Sequence, residues 1–320
     1  MVKEEQIQFQ SKDGRTTIHG FKWVPEGEIR AVLQINHGMI EYIERYRAFA
    51  QFLAEHGFVV AGYDHIGHGA SVVSREEWGF FHEKEPSKTL VEDMHQFRTL
   101  MQKEYPGLPY FMMAHSMGSY LLRRYLWCYG EGLSGAVIMG TGCVSDIFMK
   151  TGMAICKVMA AFRGWHYRSR LVQALSYDKY YKKFDVTGAN PANSWLTKDV
   201  EAVKKYYADP RCTFRFTING YYGLMETVYY DNQMENIRNM QKDVPLFLVS
   251  GADDPVGGLG EGVKKVYDKF QASGIKDVTY KLYETDRHEI LNETDKEEQK
   301  LCVREKNFCR FRACLYIISR

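Results

Sequence analysis

The chain has 320 residues, 45% of them apolar, which is enough for one large domain with an insertion or for two small ones. Its net charge of +2 does not suggest a nucleic-acid partner, and none is expected. No apolar run reaches the roughly 20 residues of a membrane span, and the polar start Met1–Gln10 lacks the apolar stretch of a secretion signal. The seven cysteines form no C-x-x-C pair, which suits reduced thiols in a cytoplasmic protein.

In chain order, Gln6–Gln10 and Thr17–Val24 read as antiparallel edge strands around a turn at Asp13-Gly14. Short apolar runs then alternate with helical patterns. Ala31–Asn36, Phe58–Tyr63, Tyr110–Ala114, Gly135–Met139, Val244–Ser250 and Val278–Tyr283 are expected as strands. Several are apolar almost throughout, as strands covered on both faces must be. Tyr46–His56, Leu90–Glu104, Ser119–Tyr129 and Gly260–Ser273 are expected as helices. The alternation implies a mostly parallel sheet with helices on both faces. It breaks between Asp146 and Lys242, where no strand pattern is clear and Met, Tyr, Phe and Trp are frequent. An insertion there would form a helical cap over the carboxyl ends of the strands, where ligands bind in open α/β sheets. The expected divisions are a first core part at 1–145, a cap at 146–242, a second core part at 243–298 and an atypical tail at 299–320.

The stretch Ala114-His115-Ser116-Met117-Gly118 joins a buried strand directly to a helix. A serine on so tight a turn, with small residues two positions to either side, is lifted to the end of the sheet beside the first helical N–H groups. An ordinary helix N-cap is the competing reading of that serine. A serine hydroxyl needs a base to become a nucleophile. The strand Val244–Ser250 ends in Gly251-Ala252-Asp253-Asp254-Pro255, which puts a carboxylate just past the strand. Asp254 is expected as the acid and its neighbour Asp253 to point elsewhere. One helix and one strand later, His288 stands beyond Val278–Tyr283 as the candidate base. Oxyanion donors are expected from the N–H of Met117 and from the N–H of Met39, with Gly38 supplying an unusual backbone conformation. The segment Asp64-His65-Ile66-Gly67-His68-Gly69 reads as a structured turn rather than a metal site, and His115 as packing beneath the serine.

Five segments, "NHGMIEYIERY" (36–46), "GYDHIGHGAS" (62–71), "AHSMGSYLLRRYL" (114–126), "SGADDPVG" (250–257) and "RHEILNET" (287–294), together resemble the α/β-hydrolase superfamily, and within it the monoacylglycerol lipase and lysophospholipase branch. The resemblance implies an eight-stranded α/β-hydrolase fold with a helical cap. It places nucleophile, acid and base on Ser116, Asp254 and His288, and the oxyanion donors on Met39 and Met117. It also implies hydrolysis of a small-molecule acyl ester without metal or cofactor. Ala114 stands where a glycine is commoner. The tail departs further: Lys300–Arg320 carries six Lys or Arg against Glu305 and three of the seven cysteines, which suits a frame-shifted coding sequence, a splice-like variant or a native oddity. Thr294-Asp295-Lys296-Glu297 forms a capping box that predicts a helix start.

The Met and aromatic content of the insertion suits an acyl chain, although over half of those residues are expected simply to pack. Residues 146–183 hold eight Lys or Arg against Asp146 and Asp178. Such a stretch suits either an anionic membrane surface or a solvated face. Two rivals share the fold: a small-ester carboxylesterase, and an aminopeptidase, whose free-amine ligand Asp178, Asp185 or Asp199 would hold. A non-catalytic binding protein is disfavoured because every triad position is filled. Dehalogenase and epoxide-hydrolase chemistry wants a carboxylate at position 116.

Overall fold

The computed structural model describes residues 2–177 and 179–294. These form an eight-stranded sheet in the order β1-β2-β4-β3-β5-β6-β7-β8. The strands are β1 (Val2–Gln10), β2 (Thr17–Pro25), β3 (Ala31–Asn36), β4 (Phe58–Tyr63), β5 (Tyr110–His115), β6 (Gly135–Met139), β7 (Leu246–Gly251) and β8 (Val278–Tyr283). β1 pairs antiparallel with β2, and β2 with β4; every other pairing is parallel. The β1–β2 turn falls where Asp13-Gly14 predicts it. Gly14 takes φ 77°, and the Asp13 carboxylate accepts from the N–H groups of Arg15 and Thr16.

Exposure follows position in the sheet. β3, β4, β5 and β7 are buried at every residue, whereas edge strand β1 has no buried residue among those described. β7 starts two residues later than its apolar run because Pro245 has no N–H to give a ladder. Helices α1 (Arg47–Glu55), α2 (Pro86–Glu104), α3 (Met117–Tyr129) and α9 (Glu261–Ala272) match the expected patterns to within a few residues. Two buried clusters flank the sheet. One holds Trp23, Ile35, Phe49 and Val60; the other holds Val59, Phe97, Met112, Leu122 and Val263 and extends into the insertion through Met149, Phe216 and Met225.

Between β6 and β7 lie α4 (Asp146–Arg163), α5 (Arg170–Leu175), α6 (Val200–Ala208), α7 (Ile218–Asn232) and α8 (Met234–Arg238). Ser145, Ser169, Asp199 and Thr217 accept hydrogen bonds at the N-termini of α4 to α7, which explains where those helices begin. α4 packs along α7, and α7 packs on α3. The chain leaves β3 toward β4 on one side and runs from β5 through β6 to β8 on the other. The sheet therefore has its switch point between β3 and β5, where a crevice must open. The capping box at 294–297, beyond Thr294, and the basic tail at 299–320 lie outside the described residues.

Candidate active site

Ser116 stands between β5 and α3 at φ 52°, ψ −120°, a left-handed backbone that costs a non-glycine residue about 1–3 kcal/mol. It occupies the N-cap position of α3, yet its hydroxyl makes no capping bond. Its backbone is fixed by Ser116 N–H donating to Met139 O (3.0 Å) and by Ser119 N–H donating to Ser116 O (2.8 Å). Glycine is required at 118 by the loop after β3. A Cβ there would meet Asn36 O at 2.4 Å and His37 O at 2.5 Å, so the α3 N-terminus packs on the loop after β3.

Gly38 needs a different explanation from the expected one. It has no positive φ; the left-handed residue of this loop is Ile40, at φ 57°. A Cβ at 38 would instead lie 2.9 Å from Ser116 Cβ and 2.6 Å from Glu41 Oε1. Glycine is there to let the loop touch the serine. Met39 and Met117 both line the cavity that contains Ser116.

The acid and base positions converge. His288 Nδ1 lies 3.0 Å from each carboxylate oxygen of Asp254, and both residues are buried. Asp254 also accepts from Ser250 Oγ (2.9 Å) and from the N–H of Val256 (2.8 Å). Burial works to raise the Asp254 pKa, but the His288 charge and these hydrogen bonds outweigh it and hold the carboxyl below its ordinary range. Asp253 turns outward and accepts from Lys183 (2.9 Å). The ring of His288 sits against Gly140, where a Cβ would come within 3.0 Å of Cε1.

A charged wall that the sequence did not announce completes this end. Buried Glu41 accepts from the N–H of Gly38 (2.5 Å), from Tyr46 OH (3.0 Å), from His115 Nδ1 (3.0 Å) and from Arg45 (2.8 Å). Arg45 makes a two-pronged pair with Glu289 at 2.8 and 2.7 Å. His115 is more than packing. Its Nδ1 faces a carboxylate and its Nε2 faces the carbonyl of His288 at 3.2 Å, so both nitrogens donate. Burial would depress the His115 pKa, but Glu41 raises it above the ordinary value. Glu41 is held well below the usual carboxylate range, burial being overcome by His115 and Arg45. The usable sequence signal was the Glu41…Arg45 pair, four apart in the loop after β3.

The cavity has a volume of about 560 Å³ and reaches from Ser116 and His288 into the insertion. Met149, Tyr177, Phe214, Leu224, Met225 and Val228 form its far wall, with Glu41 and Glu289 at the near end. Among the described residues, the insertion contributes no charged side chain to this wall. Asp185 binds Thr187 and Asn190, and Asp199 caps α6, so neither is aimed at a ligand; Asp178 lies outside the described residues. The 64–69 segment is a turn, with Gly67 at φ 77°, Gly69 at φ 48° and Asp64 accepting from Ile43 and Ala70.

A family model described as serine aminopeptidase, S33 (Hydrolase_4) matches residues 27–295. Monoglyceride lipase of Homo sapiens is 38% identical over 96 residues, which is 30% of this chain and 30% of that protein. The match to that relative therefore spans less than a third of its length. Monoacylglycerol lipase of Mycolicibacterium smegmatis is 27% identical over 288 residues, 88% of each chain. A highly thermostable carboxyl esterase from Bacillus coagulans, solved with glycerol, superposes with a TM-score of 0.87 at 28% identity, over 99% of this chain and 100% of that one.

Proposed function

Because this chain belongs to the Hydrolase_4 (serine aminopeptidase, S33) family of α/β-hydrolases, we propose that it is a serine hydrolase cleaving acyl-lipid esters, monoacylglycerols or lysophospholipids, through an acyl-enzyme on Ser116. Ester hydrolysis is the activity that its lipase relatives and its carboxyl esterase neighbour share. The observation that carries the mechanism is the buried Asp254–His288 pair, whose imidazole opens into the same cavity as a serine on a left-handed turn.

In this reading Ser116 attacks the ester carbonyl while His288 takes its proton, and Asp254 fixes the imidazole by holding Nδ1. The N–H groups of Met39 and Met117 receive the oxyanion, each such donor contributing about 3–4 kcal/mol to the transition state. His288 returns the proton to the leaving alcohol. Water then repeats the sequence on the acyl-enzyme, and no cofactor is needed.

The long apolar far wall supports a single acyl chain as the group held by the insertion. Residues 146–242 act as a cap over the strand ends. An aminopeptidase needs an unpaired carboxylate for a free amine; Glu41 and Glu289 are both committed to Arg45. The carboxyl esterase neighbour favours a second reading, a small-ester carboxylesterase. A hydrolysis panel of monoacylglycerols, lysophospholipids and p-nitrophenyl esters of graded length, with matched amides, separates these readings. Activity that peaks at acetyl esters favours the second, and amide cleavage favours the aminopeptidase.

The outer face of the insertion supports peripheral contact with an anionic membrane. Ile147, Val158 and Phe162 of α4 and Leu171 of α5 are more than half exposed, Phe162 to 83%. Lys150, Lys157 and Arg163 lie on the same helix, with their charged groups over the rings of Tyr229, Tyr222 and Tyr167. No helix among the described residues is long and apolar enough to cross a membrane.

A further inference from the structure

The base loop and the insertion are joined by direct hydrogen bonds. The N–H of Glu289 donates to Leu196 O (2.7 Å), Arg287 donates to Ser194 O (2.5 Å) and Lys198 Nζ donates to Asp286 (2.9 Å). Together these align residues 194–198 along the loop that carries His288. At the centre of that alignment the indole of Trp195 stacks on the His288 imidazole, with ring centroids 5.1 Å apart and planes at 29°. Trp195 is itself held edge-on by Tyr181 at 5.4 Å, and Tyr181 by Tyr177 at 5.2 Å. All four rings line the cavity.

We infer that Trp195 is a positioning residue for the general base: its π-face holds the His288 ring and favours the imidazolium that forms during acyl transfer. The inference rests on the serine-hydrolase reading above. The physical reason is the ring quadrupole, which attracts a cation over its face, most strongly where water is excluded. The other groups facing His288 are Asp254, which favours the imidazolium, and His115, whose ring centroid is 4.5 Å away. The positive charge of His115 is compensated by Glu41, and Glu289 beside His288 is compensated by Arg45. From the insertion, Lys198 reaches the base loop but is paired with Asp286, and the rings beside His288 in the cavity wall carry no charge. Trp195 is therefore the insertion's contribution to the protonation balance at the base.

The test compares wild type, Trp195→Leu and Trp195→Phe. The two readouts are the pH profile of kcat/KM for a short-chain p-nitrophenyl ester and the pH dependence of inactivation by a small fluorophosphonate. Trp195→Leu should lower kcat about tenfold and move the acidic limb about half to one pH unit lower, because the unprotonated base then persists to lower pH. Trp195→Phe, which keeps a π-face, should recover most of both effects. A folded Trp195→Leu protein with an unmoved limb overturns the inference, whatever happens to KM. Should Trp195→Leu fail to fold, indole emission decides, since imidazolium quenches a stacked indole. The emission difference between wild type and Trp195→Phe should titrate at the midpoint of the acidic limb, and a flat difference overturns the inference. A wild type that neither hydrolyses esters nor reacts with the fluorophosphonate overturns the underlying serine-hydrolase reading instead.

Discussion

On the sheet side of the cavity, position is set by backbone; on the insertion side, by side chains. Ser116 is held at a left-handed turn, and Gly38, Gly118 and Gly140 leave no room for a Cβ against Ser116, Asn36 and His288. The far wall, in contrast, is Met, Leu, Val and aromatic rings that can exchange rotamers, and its outer surface leaves Ile147 and Phe162 largely in solvent. The contrast teaches that changes on the sheet side should act on rate, and changes in the insertion on which ester is chosen and where the protein works.

The sharpest way to break that division is Ser116→Ala, which should reduce ester turnover by about four to six orders of magnitude. Its thermal midpoint should stay at or above the wild-type value, since a left-handed serine hydroxyl without a capping bond contributes little to the fold. Retained turnover would remove the serine from the chemistry. Gly118→Ala comes next. Its added methyl would sit 2.4 Å from Asn36 O, so α3 must shift, and a displacement near 1 Å should cost roughly a hundredfold in kcat. Normal kcat in a folded Gly118→Ala variant would show that the junction tolerates movement.

The joint between the two regions is testable by pH. His37, His65 and His68 cluster in the loops after β3 and β4, and His68 packs on Phe214 and Phe216 of the insertion. Burial pushes His37 down to about 4 and His68 down to about 3, with the charge of His37 adding to the effect for His68. These groups are neutral when folded, so their contribution to stability is complete above about pH 6.5. It is lost as pH falls from there through the folded values. His68→Phe should flatten this acid loss by about 1.4 kcal/mol, a factor of ten, per pH unit between 6.5 and 3. Denaturant midpoints at pH 7, 5.5 and 4 measure it; parallel wild-type and variant curves would contradict it.

Smaller effects should come from the insertion itself. Lengthening the acyl chain of a p-nitrophenyl ester should raise kcat/KM about fourfold per methylene until the cavity is filled, from about 0.8 kcal/mol per buried CH₂. A flat or falling series would make the far wall mere packing. Replacing both Ile147 and Phe162 with Ser should weaken binding to anionic phospholipid vesicles several-fold. Turnover of a soluble short-chain ester should not change. Equal vesicle binding by the double variant would return this face to ordinary solvated surface.

The residues easiest to read from sequence were those whose type is dictated by backbone geometry or by strand-end position. The junction at Ser116 and the strand-terminal Asp254 each follow a buried strand and the loop-borne His288 follows edge strand β8, all at strand ends on one side of the sheet, and the structure brings Asp254 and His288 into contact. The conformational reason given for Gly38 was less accurate. Gly38 and Gly118 serve contacts between the β3 loop and α3, which are nearly eighty positions apart in the chain, and no local pattern displays that distance. The charged wall was hidden for the same reason: Arg45 meets Glu289 across 244 positions. The role of His115 depends on Glu41, and that of Trp195 on a loop from the opposite side of the insertion.

The central claim is that Ser116 is the nucleophile activated by His288 and Asp254. The direct measurement is labelling with a fluorophosphonate, followed by intact-mass analysis and peptide mapping of wild type, Ser116→Ala and His288→Ala. The account predicts one adduct per wild-type chain, located on Ser116. It predicts no adduct on Ser116→Ala and a large slowing of labelling in His288→Ala. An adduct on another serine, or labelling of Ser116 at the wild-type rate without His288, would contradict it.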